Sequence, residues 1–218
     1  MEQLLHFFNV NETFFTVLNY QMSYIEFFGT LFNLACVYLV VKKNILNWPI
    51  GIVGVVLFGI LFYQLQLYAD LFEQIYYFFT GFIGWYAWTK SKPDDEITIS
   101  IKRNSTTQNS LLAVGILFLT IPGVWIMSNI HIWLPALFPT PASLPILDVW
   151  TTIMSLVAQL LLVKKRIENW VLWIIVDIIA IGLYWHKGVP VVAILYSVFL
   201  ILAISGFISW KKILEEDL

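Results

Sequence analysis

The chain has 218 residues, of which 60% are hydrophobic and only 12% are charged. This composition excludes an ordinary soluble domain. The net charge of −2 gives no basis for a nucleic-acid partner. Cys36 is the single cysteine, which excludes an intramolecular disulfide and a cysteine-based metal site. Metal-ligand spacing and phosphate-binding glycine loops are also missing from the sequence, so no cofactor is predicted.

Residues 1–22 mix aromatic and aliphatic side chains with polar ones. They lack the basic start and the small-residue cleavage site of a secretory signal. Their mixed character predicts a short helix lying in the membrane interface, although an additional, poorly apolar span is a second interpretation.

Seven apolar stretches follow, each about 18–22 residues long, which is enough to cross the hydrocarbon core as a helix. They predict an all-α integral membrane protein. The predicted spans are 24–41, 46–66, 70–89, 110–128, 145–163, 169–186 and 189–210.

The sequence also contains an internal duplication. The pattern from Tyr24 to Lys90 returns from Ile146 to Lys212 at a constant offset of 122 residues, so that Asn47-Trp48 returns as Asn169-Trp170. Two three-helix repeats joined by one linker span form a three-one-three arrangement of parallel repeats, with the substrate site between them. The predicted units are 1–22, a first repeat 23–90, a loop 91–109, a linker helix 110–128, an external loop 129–144, a second repeat 145–212 and a tail 213–218.

Basic residues predict the orientation, because loops on the cytoplasmic side retain Lys and Arg. One side carries Lys42-Lys43, Lys90, Lys92, Lys102-Arg103, Lys164 to Arg166 and Lys211-Lys212, whereas the other carries only Lys187. We therefore expect the C-terminus in the cytoplasm and the N-terminus outside.

The second repeat contains the strongest candidate site. Trp170, Trp173 and Asp177 follow helical spacing and lie on one stripe. Asp177 corresponds to Val55 in the first repeat, so the site is chemically asymmetric. Charged groups at membrane depth are rare and usually functional. Indole faces beside a carboxylate are suited to a flat cation; the structural alternative is an Asp177 that pairs with a buried polar group to lock the bundle.

The third predicted span presents Gln74, Tyr77 and Trp85 on one helical face, with donors and acceptors suited to a sugar. Tyr196 lies on the matching face of the last span, and Gln159 is an intramembrane amide of the fifth.

Asn47 and Asn169 each precede a tryptophan, Trp48 or Trp170, where the second helix of a repeat begins. They are either ordinary N-caps or paired amides at the mouth of a pathway. Trp88 and Trp210, at the other repeated tryptophan position, are expected to be belt residues at the membrane interface.

In order and spacing, the chain resembles the PnuC family of nicotinamide riboside transporters over about residues 20–212. The features that carry the resemblance are Asn47-Trp48-Pro49-Ile50-Gly51, Leu67 to Asp70 with Gln74 and Gly84-Trp85, Glu168-Asn169-Trp170-x-x-Trp173-x-x-x-Asp177, and then Tyr184, Gly188, Tyr196 and Gly206-x-x-x-Trp210.

The resemblance implies a fold like that of the SWEET sugar transporters and non-enzymatic, facilitated uptake of nicotinamide riboside across a bacterial inner membrane. It also implies a homotrimer and trapping of the substrate by a separate cytosolic kinase. The alternatives are transport of another flat vitamin or nucleoside, such as thiamine or riboflavin, an intramembrane enzyme that uses Asp177 as acid or base, and a purely structural or sensor protein.

Overall fold

The computed structural model describes residues 6–65, 67–90, 100–142, 144–186, 188 and 190–216. Parts of the predicted N-terminal segment, the 91–109 loop and the C-terminal tail lie outside these ranges, as does Lys187. Within them the chain forms a β-hairpin and then long helices. The strands are β1 (Thr13–Val17) and β2 (Tyr20–Ser23), and the helices are α1 (Tyr24–Val41), α2 (Asn47–Gln64), α3 (Tyr68–Thr89), α4 (Thr106–Trp133), α5 (Pro145–Val163), α6 (Glu168–His186) and α7 (Pro190–Glu216).

Six of these helices are long and apolar enough to cross a membrane: α1, α2, α4, α5, α6 and α7. The predicted all-α membrane architecture is confirmed at that level. The third predicted span forms α3 but is not among the six. Its polar residues, including Asp70, Glu73 and Gln74, make it less apolar than the others, and its crossing of the membrane stays a prediction.

The N-terminal segment differs from the predicted interfacial helix. Among the described residues of this segment, only 6–8 are helical, and β1 and β2 pair antiparallel from Thr13 to Ser23. The strands are joined by Leu18 and Asn19, which both have positive φ, as a two-residue hairpin turn requires. The run of β-branched and aromatic residues in β1 explains the outcome, because such residues favour strands.

The duplication is visible in the backbone where the first helix of each repeat ends. Lys43 and Lys165 both take the left-handed conformation, with φ of 55° and 56°. The next residues donate equivalent hydrogen bonds of 2.8 Å, from Asn44 to the carbonyl of Leu39 and from Arg166 to the carbonyl of Leu161. A residue in this conformation ends a helix and reverses the chain, so α2 and α6 run back along α1 and α5. We call the end of the bundle that carries these turns the basic end.

Between the two repeats, α3 packs against α5 and α1 packs against α7. The linker α4 packs on α5, where a Cβ added to Gly123 would lie 2.7 Å from Val149. None of the described α4 residues is buried. The linker α4 therefore lies at the edge of the bundle that the six helices of the two repeats form.

Candidate functional site

A cavity of about 290 Å³ lies between the two repeats. All six repeat helices contribute to its wall, whereas α4 contributes none of its described residues. The cavity thus occupies the seam at which the duplication predicts a substrate site.

Ten of the eleven predicted site residues line this cavity. They are Asn47, Trp48, Gln74, Tyr77, Gln159, Asn169, Trp170, Trp173, Asp177 and Tyr196. Trp85 does not line it, and its side chain is 37% exposed. Trp85 comes eleven residues after Gln74, which leaves it only about 20° from Gln74 around the helix but about 16 Å further along the axis. It therefore lies beyond Gly81, the last lining residue of α3.

The two Asn-Trp pairs occupy equivalent places at the basic end of the cavity. The Asn47 side-chain nitrogen donates to the Asn44 carbonyl at 2.7 Å, and that of Asn169 donates to the Arg166 carbonyl at 2.6 Å. They are therefore not N-caps, since a cap accepts from backbone N–H groups. Their side-chain oxygens, and the indole nitrogens of Trp48 and Trp170, are buried and have no hydrogen-bond partner among the described residues. Such atoms are costly to leave unpaired, and a polar ligand could supply their partners.

Four tryptophans close the cavity at its basic end. Trp48 packs edge-on against Trp88 at 5.3 Å between ring centroids, and Trp170 packs edge-on against Trp210 at 5.6 Å. Trp88 and Trp210 are 6.3 Å apart. They are 1% and 0% exposed, so the prediction that they form an interfacial belt is wrong. Their position near the predicted span ends suggested a belt, but the two rings pack against each other and against Trp48 and Trp170, inside one buried cluster.

These tryptophans also link the repeats reciprocally. The Trp88 indole donates to the Leu162 carbonyl in the second repeat at 3.3 Å. The Trp210 indole donates to the Val40 carbonyl in the first repeat, also at 3.3 Å. Both donors and both acceptors are related by the offset of 122 residues. We call this pair of hydrogen bonds the tryptophan clasp.

Two glycines make room for the paired tryptophans. A Cβ added to Gly84 would lie 2.1 Å from the Trp48 ring, and one added to Gly206 would lie 2.4 Å from the Trp170 ring. Both distances are far below van der Waals contact. The repeated glycines therefore serve close packing of an indole against the third helix of the same repeat.

The two seams between repeats are not equally bonded. Besides the clasp, the α3/α5 seam contains a hydrogen bond from the Tyr76 hydroxyl to the Leu156 carbonyl at 2.9 Å and one from Gln159 to Thr80 at 3.4 Å. Across the α1/α7 seam, the Trp210 bond is the only one among the described residues. The α1/α7 seam is therefore the weaker of the two.

The wall of the cavity is acidic. Asp70, Glu73 and Asp177 line it, and Lys, Arg and His are missing from the lining residues that the structure describes. Asp177 is only 4% exposed. The sequence pattern did not indicate Glu73 as a site residue, although this residue lies four positions before Tyr77 and so on the same helical face. The Tyr77 hydroxyl donates to Glu73 Oε2 at 3.2 Å.

At the end of the bundle opposite the basic end, the hairpin lies near residues of both repeats. The Tyr20 hydroxyl donates a hydrogen bond to Glu26. Burial and this bond raise the pKa of Tyr20, so the phenol stays protonated and remains a donor. Tyr184 lies close enough to Tyr20 to act on it electrostatically, and stacks on Tyr196 with centroids 5.5 Å apart. The hairpin thus connects the first repeat with α6 and α7 of the second.

The family model described as "Nicotinamide mononucleotide transporter" matches residues 23–212, which include both repeats and the linker. The chain belongs to this transporter family. It is accordingly a multi-pass membrane transporter and not an enzyme, and the intramembrane-enzyme alternative is set aside.

Individual relatives agree with this family. The chain is 31% identical over 214 residues to "Nicotinamide riboside transporter PnuC" of Escherichia coli (strain K12), covering 90% of this chain and 89% of the relative. It is 28% identical over 204 residues to the protein of the same name from Neisseria mucosa, covering 89% and 74%. Among solved structures, "Crystal structure of the Vitamin B3 transporter PnuC" is similar with a TM-score of 0.67 and 27% identity, covering 86% of this chain and 80% of that one. The resemblance expected from the sequence is confirmed.

Proposed function

We propose that this chain carries nicotinamide riboside across the membrane by facilitated diffusion. The observation that carries the proposal is the chemistry of the cavity between the repeats: indole walls, buried polar atoms without partners and an acidic lining. The substrate is a flat pyridinium cation on a ribose. Relatives that match most of the chain are named as transporters of this compound.

The ring and the sugar have separate places in this proposal. Trp173 flanks the pyridinium, to which an indole face contributes about 0.5–2 kcal/mol when desolvated. Asp177 provides the compensating charge. Gln74, Tyr77 and Gln159 contact ribose or carboxamide, and the orphaned atoms of the Asn-Trp pairs supply the remaining polar contacts.

The acidic lining favours the riboside over the mononucleotide in the family's description. A phosphate group needs Arg, Lys or clustered backbone N–H groups for compensation. The lining residues offer carboxylates in their place. A phosphorylated substrate would therefore meet like charge and be disfavoured.

For the transport cycle we propose the three-one-three, SWEET-like arrangement of parallel repeats, with alternating access by rocking of one repeat against the other. The reciprocal tryptophan clasp supports it, because each repeat gives the other the same bond. The clasp is closed here, so the basic end is shut. Opening at the weaker α1/α7 seam requires the Trp210 indole to leave its carbonyl acceptor.

We further propose a bacterial inner-membrane location, with the basic end in the cytoplasm and the N-terminus outside. A homotrimer and metabolic trapping by a separate cytosolic kinase belong to the same proposal. Chemical crosslinking in native membranes tests the trimer, and protease protection of the termini tests the orientation; a C-terminus cleaved from outside would overturn the assignment.

The decisive experiment for the substrate is flux of radiolabelled nicotinamide riboside into proteoliposomes of the purified chain. Uptake equal to that of protein-free vesicles refutes the substrate. Calorimetric titration with thiamine and riboflavin, in parallel with nicotinamide riboside, identifies the other flat vitamins if one of them binds more tightly.

A further inference from the structure

Glu73 faces the proposed substrate site from the first repeat, and Asp177 faces it from the second. Both line the cavity between the repeats. They are not equivalent positions of the duplication, since Glu73 corresponds to Leu195 and Asp177 to Val55. The first repeat therefore contributes Asp70 and Glu73 from α3, the second contributes Asp177 from α6, and Glu73 and Asp177 act on the same space from opposite repeats.

Tyr196 on α7 lies near both Glu73 and Asp177. Its phenol lies close enough to Glu73 and to Asp177 to interact electrostatically with both. A phenol can donate only one hydrogen bond, so it cannot satisfy two carboxylates. Glu73 also receives the Tyr77 hydroxyl and has the Thr152 side chain of α5 within hydrogen-bond reach. These neutral donors orient the Glu73 carboxylate but do not balance its charge.

A basic side chain does not balance it either. Among the described residues, ion pairs occur only between His6 and Glu12 and within the C-terminal part of α7. Neither Glu73 nor Asp177 takes part in one. A carboxylate taken out of water is costly unless a counter-charge compensates it, and none of the lining residues that the structure describes is basic.

We propose that Glu73 is a specificity-determining residue, which together with Asp177 selects substrates that carry a delocalised positive charge. This inference rests on the proposed function, because it assigns the recognition of the substrate's charge to a named residue of the same cavity. A cation between the repeats interacts with both carboxylates, whereas a neutral ligand of the same shape leaves them uncompensated. The site therefore discriminates between ligands of the same shape by their charge.

The test compares nicotinamide riboside with its dihydro form, which keeps ribose and carboxamide but has a neutral ring. Calorimetric titration of the purified full chain should show tighter binding of the cation by about tenfold or more, since a charge pair at an effective dielectric of 20 is strong enough for this preference. Glu73→Gln should remove most of the preference by weakening the cation while leaving the neutral form unchanged. Glu73→Asp, which keeps the charge, should retain it.

Glu215→Gln provides the matched control, because that carboxylate is exposed on the C-terminal part of α7 and pairs only with Lys211. It should bind both ligands as the unaltered chain does. Equal affinity of the unaltered chain for cation and neutral form overturns the inference without any variant. The inference is also overturned if Glu73→Gln weakens the binding of both ligands equally, or changes the binding of neither.

A second ligand pair, 1-methylnicotinamide against nicotinamide, separates this inference from the proposed function. It contrasts a cation with a neutral molecule but lacks ribose. If vesicles take up no nicotinamide riboside, the proposed function fails, and a preference for 1-methylnicotinamide that depends on Glu73 still supports charge selection. If riboside uptake is present but the charge preference is absent in both pairs, charge selection by Glu73 fails alone.

Discussion

Trp210 holds α7 to α1 through one indole hydrogen bond, the only one that crosses this seam among the described residues. Trp210→Phe removes the donor and part of a ring that is 0% exposed. The lost hydrogen bond costs about 1 kcal/mol, and the smaller ring leaves a space that costs about 1 kcal/mol more. Opening of the basic end already breaks this packing, so the substitution destabilises only the closed state, by about 2 kcal/mol. The population of the open state then rises about 30-fold.

The native cysteine provides the assay. Cys36 is the single cysteine of the chain and lines the cavity. A small, membrane-impermeant cationic thiosulfonate, added from the basic side of oriented vesicles, should modify it at a rate proportional to the open population. We expect modification about 30-fold faster in Trp210→Phe. Trp88→Phe should give a smaller increase, because Tyr76 and Gln159 still bond the α3/α5 seam.

Two controls make the assay specific. Trp125→Phe alters a tryptophan on α4 that is 61% exposed and does not line the cavity, so the rate should not change. Cys36→Ser gives the background. An unchanged rate in Trp210→Phe, or equal rates for the two clasp variants, would refute the view that the α1/α7 seam is the weaker one.

Three further results are expected. Trp173→Ala should weaken nicotinamide riboside binding more than tenfold in calorimetric titration, because an indole face is lost from the site; unchanged affinity would remove this residue from the site. Gly206→Ala should lower the melting temperature in detergent by a loss of about 1–3 kcal/mol through overpacking against Trp170, whereas Gly115→Ala, with nothing within 4 Å of the new carbon, should not. Tyr76→Phe should cost about 1 kcal/mol in stability, since a hydrogen bond is lost, but should leave the cysteine modification rate at the basic end unchanged; a faster rate would mean that this seam also opens.

The sequence alone predicted the long helices and ten of the residues that line the cavity. Apolar stretches of membrane length predict helices because the bilayer leaves the backbone no other partner for its polar groups. The constant offset between the repeats placed Asn47-Trp48 and Asn169-Trp170 in equivalent positions. The Trp173–Asp177 stripe indicated the wall to which they belong. Both inferences use only patterns within the sequence itself, namely the offset between the repeats and the helical spacing of the stripe.

Contacts between distant segments required the tertiary structure. Trp88 and Trp210 looked like belt residues because their depth in the bundle depends on how α3 and α7 meet α5 and α1. Glu73 lines the cavity and Trp85 does not, because only the neighbouring helices decide which part of α3 is enclosed. The hairpin at β1 and β2 likewise depends on pairing between strands.

The sequence therefore determined that the chain is a duplicated membrane protein, because bilayer thickness and repeat spacing act along the chain itself. The tertiary structure decided which side chains enclose the cavity and which indoles shut its basic end. That decision depends on the angle and depth at which separate helices pack, and these follow from the fit of all their surfaces together.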